Sequence, residues 1–198
     1  MTMIAVLGNG RVGGSLARTL TGAGHEVTVA DRSPGSAADA ARTAQIVINA
    51  TPGAGSLERL VALREELRGK ILVDVSNATV DGPDGLPADL LHPGSSLAEH
   101  LQEALPDTRV VKTLNTMLYT VMTAPAALTQ PPTAFLSGND PKAKQVVRGL
   151  LTDLGWQQEW ITDLGGIETA RATEAAVLFV PHVIRSGGFA PFAISISR

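Results

Sequence analysis

A six-residue turn near the start of the chain, Gly8-Asn9-Gly10-Arg11-Val12-Gly13, constrains the fold more than any other feature. It follows a short apolar run at residues 4–7 and opens a stretch with helical spacing at Val12, Leu16 and Leu20. In that setting each glycine has its own physical duty. Gly8 permits a tight turn, Gly10 lets the backbone approach a pyrophosphate, and Gly13 lets the helix pack closely on the strand. The amino end of the helix adds unpaired N–H groups and partial positive charge, which suit an anion. Gly8, Asn9, Gly10, Arg11, Val12 and Gly13 are therefore the first candidate cofactor-binding residues, for a dinucleotide.

The rest of the chain repeats the rhythm that this turn begins. Short runs rich in Val and Ile fall at 4–7, 27–30, 46–50, 71–75, 110–113 and 134–136, with helix-like spacing between them, as in Leu57, Leu60, Val61 and Leu67. Strands that read as continuous apolar runs are expected where a parallel sheet is covered on both faces. The expected fold is α/β: a single Rossmann-type, doubly wound, mainly parallel sheet with helices on both faces, one dinucleotide-binding domain over 1–198. Ser96 followed by Glu99 before Leu97, Leu101 and Leu105 has the spacing of a capping box, and Pro141 suits the first turn of a helix running towards Leu154. The stretch 77–93 carries Gly82, Pro83, Gly85, Pro87 and Pro93 and is expected to be irregular. A further apolar helix is expected at 168–179, followed by a tail that alternates like a strand.

Composition narrows the function classes. Of 198 residues 44% are hydrophobic and 18% charged, with a net charge of -3, so a packed core is expected and a basic nucleic-acid-binding surface is not. No cysteine is present, which removes thiolate chemistry and disulfides. The first ten residues lack the pattern of a secretory signal, and no apolar run reaches the roughly 18 residues of a spanning helix. A cytoplasmic protein without membrane or nucleic-acid partners is expected. His25 sits at the turn into the second strand and is read as structural. His92, His100 and His182 share no metal-like spacing, so no metal site is expected.

Other candidates stand where strands end, since parallel strands deliver their carboxyl ends to one crevice. After the second strand come Asp31, Arg32 and Ser33. An acidic side chain there binds ribose hydroxyls and favours NAD, whereas a guanidinium with a hydroxyl holds a 2'-phosphate and favours NADP. Thr51 and Pro52, Ser76 and Asn77, Asn115 and Thr116, and Gly138 and Asn139 follow the later strands. Small polar groups of this kind hydrogen-bond a flat ring without crowding it. Thr51, Pro52 and Asn77 are assigned to the cofactor, and Asn115, Thr116 and Gly138 to the second substrate. No catalytic dyad or triad is legible.

These segments together resemble the F420-dependent NADP oxidoreductase family, the NADPH-dependent F420 reductases. The resemblance is carried by the glycine turn, by Gly24-His25-Glu26-Val27, by Ile71-Leu72-Val73-Asp74-Val75-Ser76-Asn77, and by Arg109-Val110-Val111-Lys112-Thr113-Leu114-Asn115-Thr116. Phe135-Leu136-Ser137-Gly138-Asn139-Asp140 and Leu154-Gly155-Trp156 extend it over essentially the whole chain. It implies an oxidoreductase that moves a hydride between NADP(H) and the deazaflavin F420 or a similar planar acceptor, by positioning and with no side-chain nucleophile. It also implies a homodimer, for which 166–198 would be the dimerisation element. The family commonly places Ser-Arg or Thr-Arg at the 2'-phosphate. Here Asp31 precedes Arg32, so Arg32 is expected to neutralise Asp31 while Ser33 supplies the hydroxyl; NADP is the expected cofactor, with NAD left open by Asp31.

Two other readings use the same first domain. One is an imine or hydroxyacid reductase of the pyrroline-carboxylate or 6-phosphogluconate type, for which Lys112 and Asn115 are superficially suited. That reading is weakened because Lys112 is expected to be a strand residue pointing into solvent. The other is a non-catalytic NADP-sensing module.

Overall fold

The computed structural model describes residues 1–197. Its strands are β1 (Met3–Leu7), β2 (Glu26–Ala30), β3 (Ile46–Asn49), β4 (Ile71–Asp74), a hairpin of β5 (Thr79–Asp81) and β6 (Pro87–Leu90), then β7 (Arg109–Lys112), β8 (Ala134–Ser137) and β9 (Ile161–Gly165). Its helices are α1 (Arg11–Gly22), α2 (Ser36–Thr43), α3 (Ser56–Val61), α4 (Arg64–Leu67), α5 (Leu97–Ala104), α6 (Tyr119–Met122), α7 (Pro141–Asp153), α8 (Ala170–Ala175) and α9 (Val180–Gly187).

Seven strands form one sheet in the order β2-β1-β3-β4-β7-β8-β9. The chain winds from β1 out to β2, then returns past β1 to β3. That reversal is a topological switch point, the place where open α/β sheets bind ligands beyond the strand carboxyl ends. β1, β2, β3, β4 and β7 are mutually parallel. Every residue of β3, β4 and β8 is buried, which explains why these strands read as apolar up to the one polar residue, Asn49, Asp74 or Ser137, that ends each.

Two apolar layers cover the sheet. On one face Leu16 and Leu20 of α1 and Val147, Leu150 and Leu151 of α7 pack with Ile4, Ile48 and Val73; on the other Leu60, Leu67, Leu97 and Leu101 pack with Ala5, Val47 and Leu72. Each fully buried leucine contributes roughly 1.5–3 kcal/mol by leaving water. The capping box forms as expected: Ser96 Oγ accepts from the Glu99 amide at 3.1 Å, and α5 begins at Leu97. Pro141 opens α7 behind an Asp140 cap.

Three expectations need correction. Residues 77–93 are not irregular throughout, because β5 and β6 pair antiparallel around a turn in which Gly82 N donates to Leu86 O at 2.8 Å. The segment 168–179 is not one helix but a 3-10 turn (Ile167–Thr169), α8 and a second 3-10 turn (Ala176–Phe179), with α9 following. The tail forms no named strand. It is an extended connector lodged between two loops: Leu118 N donates to Phe192 O, Ile194 N to Thr116 O, and Thr133 N to Ile194 O. Phe179 and Phe189 stay exposed.

Candidate functional site

The glycine turn has the geometry its spacing implies. Gly8 adopts φ +105°, and a Cβ there would stand 2.7 Å from Ala50 O. A Cβ on Gly13 would overlap the carbonyl oxygen of Gly8, so only glycine lets α1 start this close to β1. Gly10 differs from both: a Cβ on it would meet nothing within 4 Å. The space beside it is open. Gly10 is the N-cap of α1, offers no side chain to the amides, and no acidic residue occupies the first turn. The helix therefore presents uncapped N–H groups and the positive end of its dipole to that open space. The guanidinium of Arg11 lies 5.2 Å from the ring centroid of Tyr119, linking this turn to the start of α6.

At the end of β2 the side chains divide their tasks. Asp31 Oδ1 accepts from Ser33 N at 2.9 Å, and Asp31 N donates to Ser36 Oγ at 3.1 Å, closing the turn into α2. The Ser33 amide is the main reason the Asp31 carboxyl lies below its usual pKa, with the Ser33 and Ser36 side chains adding to it. The expected ion pair is absent: no salt bridge joins Asp31 to Arg32 among the described residues. Backbone and hydroxyl donors occupy the carboxylate instead, and Arg32 is exposed beside them.

The ends of β3, β4 and β7 form a connected floor. Asn49 Oδ1 accepts from Thr51 Oγ1 at 2.6 Å, and Asn49 Nδ2 donates to Asp74 Oδ1 at 2.8 Å. Arg59 folds over the loop beyond, donating to Thr51 Oγ1, to the carbonyls of Pro52 and Ala54, and to Ser56 Oγ. Asn77 Nδ2 donates to Asn115 O at 2.8 Å, and Asn115 Nδ2 donates back to Asn77 Oδ1 at 2.9 Å. A Cβ on Gly53 would overlap the Asn77 carbonyl, so the loops after β3 and β4 touch backbone to backbone. Leu114 is the one non-glycine residue with positive φ (59°) among the described residues, a strained geometry that aims Asn115 across the gap. Thr116 is buried and is held through its carbonyl by the tail.

Gly138 and Asn139 do not join this floor. β8 runs antiparallel to β7, with Ser137 opposite Lys112, so the residues after β8 turn back along β7. A Cβ on Gly138 would stand 2.9 Å from Val110 O, and Asn139 Oδ1 accepts from Ile167 N, which puts both on the far side from Asn115. The structure thus sets Gly138 apart from Asn115 and Thr116, with which it was grouped, because strand direction is invisible in a short apolar run. His25 pairs with Asp153 at 2.9 Å, a structural contact in keeping with its position. No group of three metal-type ligands occurs among the described residues, and no described helix is long and apolar enough to cross a membrane.

Lys112 is the sharpest departure. It does not point into solvent: its side chain is fully buried, with Nζ 2.7 Å from Asp74 Oδ2, 2.9 Å from Glu174 Oε1 and bonded to Ser76 O. Burial opposes its charge, yet Asp74 and Glu174 outweigh that and hold its pKa above the usual lysine value. An ammonium has three N–H bonds and all three are used here. Lys112 therefore has no proton to offer a substrate, which removes the residue that favoured an imine or hydroxyacid reductase. Asn49, Arg59, Gly53 and Tyr119 were not legible as site residues; only Gly53, a glycine directly after Thr51-Pro52, carried a local hint of close backbone approach.

Comparison with known proteins bears on this geometry. A family model described as NADP oxidoreductase, coenzyme F420-dependent, matches residues 3–78. The crystal structure of a protein from Arthrobacter sp. FB24, provisionally assigned as an F420-dependent NADP reductase, is similar with a TM-score of 0.91 at 37% identity, covering 100% of both chains. The F420-dependent NADP reductase of Methanocaldococcus jannaschii is 31% identical over 140 residues, 69% of this chain and 60% of that protein. The metalloreductase STEAP3 of Rattus norvegicus is 29% identical over 191 residues, 88% of this chain and 36% of that protein. The chain thus spans less than two thirds of the length of these two curated relatives.

Proposed function

Because the chain belongs to the coenzyme F420-dependent NADP oxidoreductase family, we propose that it moves a hydride between NADP(H) and a deazaflavin such as F420, or a flavin-like planar acceptor. The observation that carries this reading is the open, uncapped start of α1: Gly8 and Gly13 admit no side chain, while Gly10 faces free space. That cradle fits a diphosphate bridged between two nucleosides.

In this reading the backbone of residues 8–13 binds the diphosphate, with Arg11 beside it. Arg32 and Ser33 bind the 2'-phosphate through charge-assisted hydrogen bonds. Asp31 Oδ1 is engaged by the Ser33 amide of its own turn and the carboxylate stays charged, so attraction of the 2'-phosphate falls to the Arg32 guanidinium. Thr51, Pro52 and Asn77 line the nicotinamide end, and Asn115 and Thr116 face the acceptor. When bound, the reduced nicotinamide would supply a hydride, both electrons included, to an electrophilic carbon of the acceptor, whose ring nitrogen takes the accompanying proton from solvent. The side chains orient and exclude water; none forms a covalent bond. Orientation of this kind can account for roughly 7–11 kcal/mol of a barrier. No side-chain acid or base at the floor is required, in keeping with the sealed Lys112. We extend the proposal to a homodimer, in which the exposed Phe179 and Phe189 of the 166–198 segment are available to a second copy.

The test is anaerobic mixing of protein, NADPH and F420, with FMN and FAD in parallel, followed by the loss of reduced-nicotinamide absorbance. Turnover with the deazaflavin is expected. Tight NADPH binding without turnover on any of the three would favour a nucleotide-sensing module instead.

A further inference from the structure

The proposed reaction makes no chemical use of Lys112, yet the chain surrounds it with two buried carboxylates. Exposure is 1% for Lys112, 0% for Asp74 and 4% for Glu174. Burying three ionisable groups is costly, and apolar residues of similar size commonly serve stability as well or better. What such residues could not reproduce is the grip on Ser76. Asp74 Oδ1 accepts from Ser76 Oγ at 2.8 Å and from Ser76 N at 3.3 Å, while Lys112 Nζ donates to Ser76 O. Three polar atoms of one residue are thus fixed, and that residue immediately precedes Asn77.

The same cluster reaches the other two strand ends. Asn49 Nδ2 on Asp74 ties in β3 and, through Asn49 Oδ1, Thr51. Lys112 is itself the last residue of β7, three positions before Asn115. Glu174 arrives from α8, accepts from the Leu97 and Ala98 amides at the start of α5, and closes the third side of the ammonium. Two carboxylates around one ammonium leave one excess negative charge, which these amides and the Asn49 and Ser76 donors offset.

We propose that Lys112 is a positioning residue for hydride transfer: with Glu174 it locks the Ser76 carbonyl and so sets the Asn77–Asn115 amide pair, and with it the spacing between the cofactor and acceptor sides of the crevice. The inference rests on the redox reading above and gives the 167–179 segment a role in the site that it never touches directly.

The experiment compares Lys112→Met and Glu174→Gln with the native chain, using Leu72→Ala as a buried control that removes none of the cluster's hydrogen bonds. Three quantities are read: NADPH affinity, single-turnover hydride transfer to a deazaflavin, and hydrogen-exchange protection of the Asn77 and Asn115 side-chain amides by NMR. Glu174→Gln keeps the Lys112–Asp74 pair and an acceptor oxygen, so it serves if Lys112→Met does not fold. Affinity should stay within about threefold, a difference well under that of one lost contact. Transfer should fall roughly a hundredfold in Lys112→Met and about tenfold in Glu174→Gln, as expected for a small misplacement of reacting groups, with both amides losing protection. Leu72→Ala should keep transfer and protection whatever it costs in stability. Native protection in the folded cluster variants overturns the positioning role, as does loss of transfer in Leu72→Ala equal to that in the cluster variants. A native chain that binds NADPH and transfers nothing overturns the redox reading instead, and the amide signals still judge the positioning.

Discussion

Gly13 on the first turn of α1 lies so close under Gly8 that one added methyl would overlap the Gly8 carbonyl oxygen, while Gly10, between them, faces open space. The two positions should therefore respond to alanine in opposite ways. Gly13→Ala should lose about 1–3 kcal/mol of stability or more, the usual penalty for overpacking. Gly10→Ala should change stability by less than about 0.5 kcal/mol and weaken NADPH binding roughly 10–100-fold, because the added methyl holds the diphosphate off the backbone at a cost comparable to one charge-assisted hydrogen bond. Denaturant unfolding and calorimetric titration read the two effects separately.

Cofactor choice should turn on Arg32 far more than on Asp31. With no carboxylate paired to it, Arg32 is available to a 2'-phosphate. Arg32→Ala should weaken NADP roughly 10–100-fold, as for other hydrogen bonds to charged groups, and leave NAD unchanged. Asp31→Asn keeps an acceptor for the Ser33 amide and removes one exposed negative charge, so it should shift the NADP to NAD ratio only slightly, and towards NADP. A ratio that moves with Asp31 and not with Arg32 would reverse the assignment.

Asn115→Ala removes a buried donor and leaves Asn77 Oδ1 without its partner. A stability loss of about 1–3 kcal/mol is expected. With Asn115 proposed to face the acceptor, the KM for the deazaflavin should rise while NADPH affinity holds. Steady-state kinetics with each substrate varied in turn checks this.

The pH dependence has a defined sign. Asp31, held by the Ser33 amide, and Asp84, held first by the Leu86 amide and then by Arg185, have lowered pKa values. At Asp163 burial acts to raise the pKa, but the Lys144 and Gly165 hydrogen bonds overcome it and the net direction is down. Groups depressed on folding contribute stability that is complete above their unfolded pKa of about 3.9 and lost as pH falls through the folded value. Lys112 runs the other way: its raised pKa contributes stability below about pH 10.4, lost as pH rises through the folded value. Unfolding free energy should therefore fall on the acid side below about pH 4, and Asp163→Asn should make that limb shallower. A limb of unchanged slope would count against the Lys144–Asp163 contact.

Much of this was legible before the structure, and the failures share one cause. β1, β3, β4 and β7 announce themselves because strand interiors buried on both faces are apolar, with the buried polar residues Asn49, Asp74 and Lys112 kept to the strand ends. Ser96 and Glu99 announce α5 because capping is local. β9, with a single buried residue in Ile161, lies at the sheet edge and leaves no such trace. Lys112 read as exposed because its partners are 38 residues before and 62 after it, brought together only by sheet register and the return of α8. Gly138 was misplaced for a related reason: sequence records that a strand exists, but the direction of β8 depends on how the chain crosses after α6. Local physics is readable from neighbours; the buried charge cluster and the Asn77–Asn115 pair exist only once distant segments meet.

The most direct trial of hydride transfer is to supply NADPH carrying deuterium at the transferable position, with F420 in ordinary water, and follow the label by mass spectrometry. Direct transfer across the crevice predicts deuterium in the reduced deazaflavin. Full retention of label in NADPH that is demonstrably bound, or label lost to water with none on the acceptor, would contradict it.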